Sequence, residues 1–327
     1  MIVKFLLCLG LASAGSVGLG APAAEGGRLR VMVQLDWIKN AQFAGVLVAE
    51  ERGWYREAGL DVEVRAVDPE KPDAVAPVVA HPGIAIGVAD GSALLRARAG
   101  GAPIKAFATM FQASPLGIVT LKTSGLTTVA SLRGKTIGLH GYDRPQLAIM
   151  LRHAGLMMAD VTAIDIGDDV HSLPAGRIQA QVCYVIDEAV ALETAGHAVN
   201  TMFGHENGYK AYAQVYFTTA LTLGRHGPVL ARFLEASNRG WRAAIADPEG
   251  TALMIIERHQ PKLKVDYQAG SIALIAKLLT AETGTGGMGR MRRETWLETS
   301  DATPTLVDQL VDFRLQPATG ATTLNKP

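Results

Sequence analysis

An α/β fold is what this chain predicts, on three observations. Val- and Ile-rich runs alternate with helical patterns through the first two thirds, the mark of parallel strands joined by crossover helices. Several of those helical patterns end at Gly, where helices prefer to stop. With 327 residues, 48% of them hydrophobic, the chain is long enough to build two cores.

The first segment differs from the rest. Lys4 precedes the apolar FLLCLGLASAG, then GLGAPAAEGG follows, and Ala21-Pro22-Ala23 fits a small-x-small cleavage site. This pattern predicts a secretory signal peptide over residues 1–23. The apolar run is short and broken by Gly and Ser, unlike a membrane anchor. Cys8 follows two leucines rather than the small residue that lipid attachment requires. Cleavage leaves Cys183 alone in an oxidising compartment, so no intramolecular disulfide is expected. Within QAQVCYVI that thiol reads as a small buried hydrophobe. The mature protein is expected to start near Ala24 and to be a soluble periplasmic monomer.

The strands expected from Val/Ile content are RVMVQL, LDVEVRAV, GIAIGV, IKAFATMF, GIVTLK, TIGLH, VTAIDI, AQVCYVI and VYFTTALTL. Between them FAGVLVAEERGWY, GSALLRARAG, RPQLAIMLRHAGL and DEAVALETAG carry helical periodicity. From Arg225 onward only helices are expected: GPVLARFLEASNRGWRAAIADP, EGTALMIIERH, YQAGSIALIAKLLTAE and a last one around Thr305 to Leu315. Such a helical third suggests a chain that returns to pack around its first domain. The tail PATGATTLNKP has no period and is expected to be extended. No repeat or low-complexity linker occurs, so the two domains are expected to be joined by crossing strands.

Charge narrows the partners. Lys and Arg number 31 against 31 Asp and Glu, with no long basic run, which argues against nucleic acid or anionic lipid as partner. The eight His residues are scattered without ligand spacing, so no metal site is expected. There is no Gly-x-Ser-x-Gly elbow, no Gly-rich phosphate loop with Lys and no Cys–His pair in the segments that matter. Paired acids could serve a glycoside hydrolase, but aromatic platforms are sparse at 6% Phe, Trp and Tyr. No catalytic group and no cofactor are expected.

An ordered set of segments carries a family resemblance: LDW, QFAGVLVAEERGWYREAGLDVEV, FQASPLGIVTLKTSGL, SLRGKTIGLHGYD, GRIQAQVCYVIDE and RFLEASNRGWRAAIADPE. From about Arg28 to Trp296 the chain resembles the periplasmic substrate-binding proteins of ABC importers that include thiamine-pyrimidine-precursor binders, with sulfonate and nitrate binders more distant. The resemblance implies a type 2 periplasmic binding fold with two α/β lobes, a ligand cleft between them and two crossover strands. Lobe one would comprise residues 24–116 and the helical part 220–316, lobe two residues 117–219, and the tail residues 317–327. The first crossover would fall near Ser114-Pro115-Leu116-Gly117, the second within Val215 to Leu223. The implied partners are a small-molecule ligand and an inner-membrane ABC permease. The same family contains a eukaryotic pyrimidine synthase with an active-site His and a cofactor-bearing Lys. This chain has Ala89 and Ala93 at the aligned positions, and HENGYKAYAQVY where that enzyme is cysteine-rich.

Candidate ligand contacts lie at strand-to-helix junctions, where open α/β sheets bind. Asp36 and Trp37 follow the first strand. The bulk of Trp37 would suit a core, but its carboxylate neighbour suits a cleft, and Asp36 could also cap the next turn. Asn40 and Gln42 can read a heterocycle's edge or only form a turn and a cap. Phe43 is expected as a second wall. Asp90 is expected to cap the following helix, with a cleft role as the alternative. Family members often carry His where this chain has Ala113, and Gln112 could compensate for the smaller side chain there. His140, Gly141, Tyr142 and Asp143 form another junction, whose backbone N–H groups could bind an acceptor, although Gly141 could equally be a turn requirement. In CYVIDEAVALE the resemblance aligns Tyr184 and Glu188 with the family's Tyr and ligand-facing acid, while Ile186 and Ala189 depart from its pattern; Asp187 adds a second acid, and the partial positive charge of a helix N-terminus would account for one of the two acids but less well for both. The leading reading is a receptor for an aminopyrimidine or related nitrogen heterocycle. A membrane-sensor ligand receptor, a sulfonate-like or other small-solute binder and a synthase are the alternatives.

Overall fold

The computed structural model describes residues 27–69, 71–167, 169, 171–280, 287–299 and 302–316. The expected signal peptide and the extended tail lie outside these residues. Among the described residues ten strands form two sheets of five. The first contains β1 (Leu29–Gln34), β2 (Leu60–Arg65), β3 (Ile84–Ala89), β4 (Ile104–Phe111) and β10 (Ala213–Thr219), in the order β2-β1-β3-β10-β4. The second contains β5 (Leu116–Leu121), β6 (Thr136–Leu139), β7 (Thr162–Asp165), β8 (Ala180–Tyr184) and β9 (Val199–Phe203), in the order β7-β6-β8-β5-β9. Each sheet is mostly parallel but holds one antiparallel strand next to its far edge: β10 between β3 and β4, β5 between β8 and β9. Both inserted strands are the first after the chain changes sheet.

Helices cover the sheet faces, which explains why β3 reads as GIAIGV with no polar alternation: all six of its residues are buried. Its Gly87 is required by packing, because a Cβ there would lie 2.1 Å from the Phe217 ring of β10. A long helix, Ala220–Ala246, crosses lobe one and kinks at His226, just before Pro228, where proline's missing N–H breaks the ladder. Its Gly240 faces Gly45 of the helix Ala44–Glu51 so closely that an added Cβ would meet the Gly45 carbonyl oxygen at 1.9 Å. The Trp241 side chain fills the space over Gly45 and is fully buried.

Several boundaries differ from the sequence reading. The first change of sheet occupies residues 112–115, beside the expected place, but the second is completed over residues 204–212, ahead of β10, rather than within Val215 to Leu223. Residues 213–219 therefore belong to lobe one's sheet and not to lobe two. The first change of sheet runs almost directly from β4 into β5, whereas the second begins with the 3-10 turn Gly204–Asn207. VYFTTALTL is divided between β10 and the helix that starts at Ala220, where the Thr219 side chain accepts from the Thr222 N–H. AQVCYVI ends as a strand at Tyr184 and turns into a π-helical segment, Val185–Ala189. β9, VNTMF, and the helices Val75–Ala80 and Arg293–Glu298 have no counterpart in the sequence reading.

Candidate functional site

The C-terminal ends of β1, β3, β6 and β8 converge on one cavity of about 390 Å³ between the two sheets. Lobe one lends Asp36, Trp37 and Gln42 from the turn after β1, Asp90 after β3, and Ala93 and Arg96 from the helix Gly91–Ala99. Lobe two lends His140, Tyr142, Asp143 and Gln146 after β6, and Cys183, Tyr184, Asp187 and Glu188 from the end of β8 and its π turn. This is where open α/β sheets take ligands.

Trp37 packs against the lobe-one core and also borders the cavity, so its ring has firm backing and a side toward the cleft. On the lobe-two side of the cavity, Tyr142 is 64% exposed and stacks on His140 with ring centres 5.0 Å apart and planes 7° from parallel. Acids dominate the lining: Asp36, Asp73, Asp90, Asp143, Asp187 and Glu188, against Arg96 as the one Arg or Lys among the described lining residues. Asp36 is half-buried, with its Oδ1 shut off from solvent and given no hydrogen bond. Burial pushes its carboxyl well above the usual range, and the nearby Asp90 charge adds to the rise. Burial also takes Asp90 to about 6, opposed by the Tyr184 hydroxyl and by Arg96. Asp143 rises to about 7 through burial and then Asp90, with Arg96 opposing. Asp187 rises to about 6 by burial. Desolvation disfavours the charged form in each case, so these carboxyls hold their protons more tightly than free ones and offer a ligand both O–H donors and carbonyl acceptors.

Ten of the fourteen residues singled out from sequence line the cavity; Asn40, Phe43, Gln112 and Gly141 do not. Phe43 is not a second wall: it is fully buried in the lobe-one core. Asn40 Oδ1 accepts from the Gln42 N–H, the turn-forming role of a loop Asn. Gln112 Nε2 donates to the carbonyls of Gly287 and Arg290, at 3.1 and 3.3 Å, so it braces the C-terminal segment instead of facing the cleft. The Gly141 N–H donates to Asp165 at 3.1 Å, which uses up the donor expected for a ligand. Asp90 makes no side-chain cap to its helix; its Oδ2 accepts from the Tyr184 hydroxyl instead.

Arg96, Gln146, Cys183 and Tyr209 also border the cavity, outside the set singled out from sequence. Helical spacing could have found two of them. Ser92, Ala93 and Arg96 share one face, as do Tyr142, Asp143 and Gln146, because residues three and four apart are helix neighbours. Tyr209 comes from the second crossover and carries no local signal. Pro72, Asp73 and Ala74, with Val75 at the start of the helix Val75–Ala80, also reach the cavity, from a stretch that the sequence reading did not single out.

A profile described as NMT1/THI5 like matches residues 40–251. The chain belongs to that family. Among its relatives is a formylaminopyrimidine-binding protein of Halalkalibacterium halodurans, 26% identical over 275 residues that cover 82% of each chain. A riboflavin-binding protein, RibY, of Chloroflexus aurantiacus is 28% identical over 235 residues, 70% of this chain and 66% of that one. Yeast pyrimidine phosphate synthase also matches, but over 50% of the chain. Among solved structures, the periplasmic aliphatic sulphonate binding protein SsuA of Escherichia coli superposes with a TM-score of 0.62 at 16% identity, covering 75% of this chain and 82% of that one. That likeness establishes the periplasmic-binding-protein fold expected from sequence. No helix among the described residues is long and apolar enough to cross a membrane.

Proposed function

We propose that this family member is a periplasmic solute-binding protein that captures a small planar nitrogen heterocycle of the aminopyrimidine, thiamine-precursor-like class. The lobes close on the ligand, and the closed form delivers it to an ABC permease after export through a cleaved leader. The observation that carries the reading is the joining of a backed Trp37 ring to a lining in which acids far outnumber cations. A sulfonate or nitrate would find a single Arg or Lys, Arg96, among the described lining residues and would meet repulsion from each acid that is ionised. An aminopyrimidine offers ring area for stacking, worth on the order of 1 kcal/mol beyond burial, and N–H donors for charge-assisted hydrogen bonds. The names of two relatives, binders of formylaminopyrimidine and of riboflavin, support a flat nitrogen heterocycle.

The synthase alternative gains nothing from the geometry. Ala89 and Ala93, aligned with that enzyme's Lys and His, both border the cavity, so alkyl groups stand where its nucleophile and cofactor anchor would be needed.

Thermal-shift titration with 4-amino-5-hydroxymethyl-2-methylpyrimidine tests the proposal. A ligand at about a hundred times its dissociation constant stabilises by about 2.7 kcal/mol. Trp37→Ala should abolish that shift, and Glu188→Gln should weaken it while the protein stays folded. Saturable binding of an alkanesulfonate, with aminopyrimidines inert and both variants unaffected, would overturn it.

A further inference from the structure

Tyr184 and Asp90 belong to different lobes, yet they are joined. Asp90 follows β3 in the first sheet and Tyr184 ends β8 in the second, and the tyrosine hydroxyl donates to Asp90 Oδ2. The bond lies beside the first crossover, because Tyr184 pairs with Leu116, the first residue of β5 after the chain changes sheet. Asp90 Oδ1 is buried with no partner. Its carboxylate is thus held by one oxygen from across the cleft, and its helix leaves it uncapped.

We infer that Tyr184 is a positioning residue that acts through Asp90, bracing the hinge side of the cleft so that lobe orientation and the placement of the Asp90 carboxylate are set by one hydrogen bond. This rests on the reading of the two lobes as a closing pair and adds a role for Tyr184 beyond ligand contact. A phenol donating to a carboxylate makes a charge-assisted bond, stronger than one to a neutral acid. The brace therefore has its full strength while Asp90 is ionised. The charged and titratable groups around Asp90 are Asp36 from the turn after β1, Asp143 from the lobe-two junction, Arg96 from its own helix and Tyr209 from the second crossover. Burial places its titration at about 6. Loss of the hydroxyl should then matter most above that pH and least below it.

The test uses the full chain carrying Cys8→Ser, without ligand, with dyes on opposite lobes at Lys262→Cys and Thr123→Cys, both exposed positions; the other native cysteine, Cys183, is buried. Single-molecule energy transfer reads the ratio of closed to open lobes. Tyr184→Phe should lower that ratio about tenfold at pH 8, the scale of a hydrogen bond to a charged group, and by much less at pH 5. Asp90→Asn should cause a similar loss at pH 8, and the double variant should be no worse than either single one, as expected of residues acting as a unit. An unchanged ratio in Tyr184→Phe, an equal loss at both pH values, or additive losses would overturn the inference. Since no ligand is added, the result is separate from that of the heterocycle titration: either can fail while the other stands.

Discussion

Replacing Gly240 with Ala probes the closest approach in lobe one. The new Cβ would lie 1.9 Å from the Gly45 carbonyl oxygen and 3.2 Å from Ala49 Cβ. A carbon–oxygen contact needs about 3.3 Å, so the two helices must part by roughly 1.4 Å. Both obstacles are backbone or Cβ atoms, which cannot rotate away. Overpacking costs about 1–3 kcal/mol, and rigid neighbours put this site at the upper end. For a chain of this size each kcal/mol moves Tm by about 2 °C, giving a fall of about 6 °C by scanning calorimetry. Gly224→Ala is the internal control: it lies in the same helix and its Cβ would meet nothing within 4 Å. It should be neutral or gain up to about 1 kcal/mol from helix propensity. Equal melting temperatures for the two variants would refute the argument. The strain should also reach the cleft, since the helix Ala44–Glu51 directly follows the segment that holds Asp36, Trp37 and Gln42.

Asp143 is buried and its carboxyl titrates near 7, above its unfolded value. The folded form therefore binds the extra proton, so this group's stabilising contribution is full below about pH 4 and is lost as pH rises through 7. Asp143→Asn should raise stability at pH 8 by a free energy on the order of 4 kcal/mol, from a pKa rise of about three at about 1.4 kcal/mol each, and change it little at pH 4; urea melts at the two pH values check this. Small-angle scattering should register a smaller radius of gyration at saturating 4-amino-5-hydroxymethyl-2-methylpyrimidine than without it, and an unchanged radius would contradict lobe closure. Intact mass of the exported protein should correspond to a chain starting near Ala24, with no lipid on Cys8.

Much of the architecture is legible because it rests on runs of residues. Most strands follow from Val/Ile content, and the late helices from their period. Boundaries fail where adjacent elements share composition: FTTALTL contains strand formers that run into helix formers, and only the Thr219 cap separates them. β9 is hard to see because VNTMF is short and half polar. In the cleft, Asp36, Trp37 and Tyr184 are legible because strand ends are marked in sequence. Phe43 is misread because a residue in a turn can face either side, and partners more than two hundred residues away decide which. The Ala41 N–H bonded to Gln268, at 2.7 Å, shows how such a distant partner fixes this turn. The Asp90 pairing has no local trace, since its partner comes ninety-four residues later.

The placement of β10 between β3 and β4 has a consequence for assembly. Lobe two is a single stretch of chain, so its sheet can close as soon as β9 has been made. The first sheet has a gap beside β3 until residue 219 arrives, because its fourth neighbour in space is its last in sequence. Pairings so distant along the chain carry a large loop-closure cost and form slowly. Refolding followed by pulsed hydrogen exchange should find the amides of β6 and β8 protected before those of β3 and β4. A chain stopped at residue 212 would then keep an ordered second lobe beside a first lobe that never consolidates.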